Sequence, residues 1–157
     1  MKPVFAVVLL TSCVAACGDS SPTAPSGPMA SAFMTGTWAG SASDSSGAMG
    51  AGSLMGQVGM GTMTWALTQS GATITGSLNF SGMPGRMPGV FSGTMSDDEM
   101  TFTMDMPINS MMAFGCTARA TGTARVDGPR TRITATYDGA NSCTGSFVNG
   151  QVTMTRQ

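Results

Sequence analysis

Beyond residue 33 the chain alternates apolar and polar positions. Met63, Trp65 and Leu67 share one parity, and Thr64 and Thr68 take the other. Ile74, Gly76, Leu78 and Phe80 oppose Thr73, Thr75, Ser77 and Asn79, while Met100, Phe102, Met104 and Met106 oppose Thr101, Thr103 and Asp105. Successive side chains of an extended strand point to opposite faces, so this pattern predicts strands buried on one face and wet on the other. Turn-forming clusters at 69–72, 96–99, 126–129, 137–141 and 148–150 separate them. Such segments, with no helical spacing in this part, predict an all-β fold, an antiparallel up-and-down meander of about eight strands.

A glycine between hydroxyl residues recurs, in Thr35-Gly36-Thr37, Thr75-Gly76-Ser77, Ser92-Gly93-Thr94, Thr121-Gly122-Thr123 and Thr144-Gly145-Ser146. Gly76 has the parity of Ile74 and Leu78, Gly93 that of Phe91 and Met95, and Gly122 that of Ala120 and Ala124. An inward glycine relieves crowding and lets a strand bend, so the meander is expected to close into a small barrel, which also removes unpaired edges. The competing expectation is an open sandwich with bulges at these glycines.

The first residues follow a different pattern. Lys2 precedes an apolar run over 4–16, too short for a membrane-spanning helix and built like a signal-peptide core. It ends in Val14-Ala15-Ala16-Cys17, which closely resembles the lipobox of bacterial lipoproteins. The resemblance implies that the signal helix over 1–16 is removed and that Cys17 becomes the acylated first residue, anchoring the protein to a membrane. Gly18 rather than aspartate after Cys17 resembles an outer-membrane sorting position, so the expected location is the bacterial envelope, on the outer membrane. Leu10-Thr11-Ser12-Cys13 also fits the box but leaves a shorter apolar core, and an ordinary secretory cleavage after Ala16 is a further alternative. Residues 17–32, rich in proline, serine and glycine, read as a flexible tether, and 33–157 as the barrel domain.

With Lys2 removed, arginine alone supplies positive charge, against 8 acidic residues. That balance argues against nucleic acid as a partner. Charged residues make up 10% of the chain, against about a quarter in typical domains, so threonine and serine must keep the surface wet. Of 4 cysteines, Cys13 leaves with the signal and Cys17 carries lipid. Cys116 and Cys143 are then expected to form a disulfide in an oxidising compartment. The chain has no histidine, the commonest general base and metal ligand, so no enzyme activity, cofactor or metal is expected. Asp97, Asp98 and Glu99 read as a solvated hairpin turn, and Arg119, Arg125, Arg130 and Arg132 as a patch if 116–126 pairs with 132–137.

Gly36-Thr37-Trp38 resembles the Gly-x-Trp that opens lipocalins, avidins and fatty-acid-binding proteins, together the calycins. The resemblance implies an Arg156 that covers Trp38 at the closed end of the barrel, a contact worth about 0.5–2 kcal/mol. It covers the two ends of the domain, and the Gly/Met/Ser stretch over 41–61 departs from it. Trp65, Phe80, Phe91, Phe102 and Met104 are expected to line the interior. The leading functional expectation is a monomeric, non-catalytic module holding a small apolar ligand there. The alternative is a filled barrel that docks envelope components through its Thr-rich face. A third reading takes some of the 16 methionines as soft ligands for Cu(I).

Overall fold

The computed structural model describes residues 32–46, 59–82, 85–110, 113–143 and 145–157. The leader, Cys17 and the tether up to residue 31 lie outside the described residues. The alternating segments form eight strands: β1 (Gly36–Ser46), β2 (Gly59–Ser70), β3 (Thr73–Gly82), β4 (Gly85–Ser96), β5 (Glu99–Ser110), β6 (Ala113–Val126), β7 (Arg132–Asn141) and β8 (Gly145–Arg156). Each pairs antiparallel with the next, and β8 returns to pair with β1, which closes the barrel. No helix occurs among the described residues.

Two of the expected turns are not turns. Residues 137–141 continue β7, and 148–150 lie inside β8. The two clusters face each other across the β7–β8 ladder, where the register shifts between Tyr137 and Gly139. Asn149 takes a left-handed φ of 56° there, and its N–H donates to Asp138 Oδ1 at 2.8 Å. Turn-forming residues thus build a bulge, because asparagine tolerates the left-handed region and glycine permits the bend. The chain reverses instead at Ser142 and Cys143.

The interior alternates large and small residues around the barrel. Ile74, Gly93, Phe102, Gly122, Tyr137 and Gly150 are successive cross-strand partners from β3 to β8. A Cβ on Gly122 would collide with the Thr136 carbonyl and the Phe102 ring, and one on Gly150 with the Tyr137 ring. Phe80 likewise lies over Gly61, and Phe147 over Gly139. Each ring therefore occupies the space its glycine neighbour vacates, which is how a narrow barrel reaches interior packing density.

The two ends differ. One carries the turns at 71–72 and 97–98, the loop 127–131 and the incoming residues 32–35, which lie across it as a strap. The other is the rim where β1, β3, β5 and β7 finish. All three register shifts among the described residues, in the β1–β8, β5–β6 and β7–β8 ladders, lie in the rim half.

Candidate functional site

At the strapped end, Met34 is fully buried beside Trp38. The Trp38 Nε1–H donates to the Met34 carbonyl at 3.0 Å, and the Met34 N–H donates to Gln69 Oε1 at 3.0 Å. The Gln69 N–H in turn donates to Thr35 Oγ1 at 2.9 Å, so one buried glutamine side chain and its backbone hold the strap twice. Arg156 sits with its guanidinium carbon 5.1 Å from the Trp38 ring and donates to the carbonyls of Phe33 and Thr35, the latter at 2.7 Å. Arg130 lies 4.1 Å from the Phe33 ring centroid. Trp38 and Arg156, paired in the sequence reading, thus lie together at the strapped end. The strap and Gln69 were not foreseen, although a lone glutamine at inward parity after Leu67 is a readable sign of a buried polar tie.

The five residues expected to line the interior are all buried, and the rings of Trp65, Phe91 and Phe102 are brought together. Trp65 stands 4.7 Å from Phe91 and 5.4 Å from Phe102, and Phe91 stacks on Phe102 at 5.4 Å. The Trp65 Nε1–H points to Met63 Sδ at 3.0 Å. Met104 is fully buried and pairs with Phe91 across β4 and β5, and Phe80 lies over Gly61. The three rings of Trp65, Phe91 and Phe102 contact one another within stacking range.

Toward the rim, Asp44 projects inward and is 8% exposed. The Tyr137 hydroxyl reaches across β8, over Gly150, to Asp44 Oδ2 and the Ser43 carbonyl, each at 3.4 Å. Burial, followed by the adjacent Asp44 carboxylate, raises the tyrosine pKa well above its ordinary value. The Cys116–Cys143 disulfide joins the start of β6 to the turn after β7, with Cα atoms 5.7 Å apart.

The outer face is a lattice of hydroxyls. Thr73, Thr94, Thr101, Thr123, Thr136 and Gln151 are successive partners from β3 to β8. A depression of about 590 Å³ opens outward between Ser92, Thr94, Thr101, Thr103, Thr121 and Thr123. A second, of about 330 Å³, continues it over Thr136, Asp138 and Gln151. The arginines do not form one patch, although β6 and β7 pair as supposed. Six residues of extended strand, about 20 Å, separate Arg119 from Arg125. Arg119 meets Asp105 at 3.4 Å and Arg125 meets Glu99 at 3.7 Å, both exposed pairs. Asp97 and Glu99 are exposed around the β4–β5 turn, with Asp98 half-buried between them. Asp127 instead organises its own loop. Its carboxylate accepts from the N–H groups of Arg132 and Thr131 at 2.9 and 2.7 Å, and these bonds lower its pKa.

No family model matches the chain, and neither the curated proteins nor the solved structures contain a match to it. No group of three or more metal-ligating His, Cys, Asp or Glu residues occurs among the described residues. No helix among them is long and apolar enough to cross a membrane.

Proposed function

We propose that the protein is a non-catalytic, lipid-anchored envelope protein that works through the outside of a filled barrel. The observation that carries this reading is the interior packing: the spaces left by Gly61, Gly122, Gly139 and Gly150 are taken by Phe80, Phe102, Phe147 and Tyr137. The described depressions lie instead on the hydroxyl-rich outer face, the surface offered for docking other envelope components. The anchor rests on Val14-Ala15-Ala16-Cys17, and outer-membrane placement on Gly18. Two acyl chains hold a protein stably on a bilayer, each buried methylene contributing about 0.8 kcal/mol.

Native mass spectrometry of protein taken from its own envelope tests both halves. The expected species begins at Cys17, carries acyl mass and holds no small molecule. A stoichiometric apolar ligand would restore the ligand-carrier reading, and a cytosolic chain retaining residues 1–16 would remove the anchor. Thr101→Arg with Thr123→Arg should leave the fold intact and abolish crosslinking to envelope partners. Unchanged crosslinks would exclude this face.

A further inference from the structure

The rim is the irregular end of the barrel, and the disulfide sits on it. Cys116 is buried at 2% exposure near the start of β6, whereas Cys143 is exposed in the turn that follows β7. Short polar bonds latch the same corner. The Ser142 N–H donates to the Thr117 carbonyl at 2.8 Å, the Thr117 N–H to Ser142 Oγ at 3.0 Å, and the Cys143 N–H to Asn141 Oδ1 at 3.0 Å. The fold does not lean on this corner for closure. β8 is paired with β1 from Trp38 to Ser43, and β6 with β7 from Ala118 to Val126. The strap ties are at the far end.

We propose that the Cys116–Cys143 bridge is a reducible rim clip, opened by a dithiol that attacks Cys143, and that its opening frees the β7–β8 corner and uncovers the apolar Phe147 while the barrel stays folded. A thiolate must approach along the S–S axis from the side opposite the leaving sulfur, and the exposed residue offers that approach. The attacking thiolate forms a bond to Cys143 Sγ. The electron pair of the broken S–S bond leaves on Cys116 Sγ, which takes a proton from water. The second thiol of the reductant then displaces the mixed disulfide, so the dithiol is oxidised to a disulfide and both cysteines end as thiols. Ser142 and Cys143, which lie beyond the last β6–β7 pair at Ala118 and Asn141, lose their covalent tether to β6, and the irregular β7–β8 ladder is left to hold the corner. Phe147, packed edge-on to Tyr137 at 6.1 Å and lying over Gly139, is the ring that the opened corner exposes.

Hydrogen exchange on the oxidised full chain, before and after treatment with dithiothreitol, tests the clip. The expected result is exchange faster by about tenfold or more over 115–119 and 139–149, with β2, β3 and the strap unchanged, as for a local opening. An apolar dye should bind only the reduced form, and near-ultraviolet dichroism from Trp65 should persist. Exchange rising throughout the barrel would show that the bridge holds the whole fold, and no change at the corner would show that the polar latch suffices. Either result overturns the proposal. With limiting monothiol, peptide mapping should place the mixed disulfide on Cys143, and its appearance on Cys116 would overturn the direction of attack. The Cys116→Ser/Cys143→Ser variant, folded without any bridge, should match the reduced protein in exchange.

Discussion

At the scale of single residues, the strapped end depends on very few groups. Arg156 makes two carbonyl contacts and covers an indole, and hydrogen bonds from a charged donor contribute about 1.5–3 kcal/mol each. Because this end is partly wet, Arg156→Ala is expected to cost about 1–3 kcal/mol in denaturant unfolding. Arg156→Lys should recover less than half of that loss, since an ammonium lacks the planar fork that reaches both carbonyls. Tyr137 is the chain's one tyrosine, and its environment holds it neutral. The folded-state pKa lies above the unfolded value of 10.0, so this contribution to stability is complete below about pH 10 and is lost as pH rises beyond it, where only the unfolded chain releases the proton. Unfolding midpoints compared at about pH 8 and about pH 11 should show that alkaline loss in the wild-type protein and a smaller one in Tyr137→Phe. Equal alkaline losses would exclude Tyr137 as the source.

At the scale of strands, Gly61, Gly122, Gly139 and Gly150 act as sockets for rings on neighbouring strands. Gly122 meets the Thr136 carbonyl and Phe102, so a side chain there collides with backbone as well as with a ring. Gly122→Val should destabilise by about 1–3 kcal/mol or prevent folding, the range for overpacked cores. Pairing it with Phe102→Ala should recover only the part that comes from the ring, because the carbonyl remains in place. A double-mutant cycle in urea reads that coupling. The sockets were half legible in the sequence. Alternation placed Gly76, Gly93 and Gly122 on the buried face, but room for a ligand was a natural reading of those gaps. Which ring enters which gap depends on register between strands. The clusters at 137–141 and 148–150 misled for a related reason: the same Asn, Asp and Gly residues that make a hairpin turn also make a bulge, and only the pairing of β7 with β8 distinguishes them.

At the scale of the whole molecule, the barrel has a strap at one end, a bridged, irregular rim at the other and buried rings between them. Trp38 and Trp65 are both fully buried, one beneath the strap and one in the aromatic cluster. Tryptophan emission should therefore be blue-shifted and nearly insensitive to acrylamide in the native protein, rising to ready quenching only on global unfolding. Substantial quenching under native conditions would mean that solvent enters the barrel, contrary to a filled interior.

The sequence by itself determined the strand faces, the all-β class and the disulfide partners. Binary alternation is a local property of an extended chain, and Cys116 and Cys143 are the two cysteines within the alternating part of it. The strap tie at Gln69, the Tyr137–Asp44 contact and the occupancy of the glycine sockets were decided only by tertiary structure. The first two join residues 35 and 93 positions apart and the sockets join residues on paired neighbouring strands, and what brings them together is the stagger of eight strands closing on themselves.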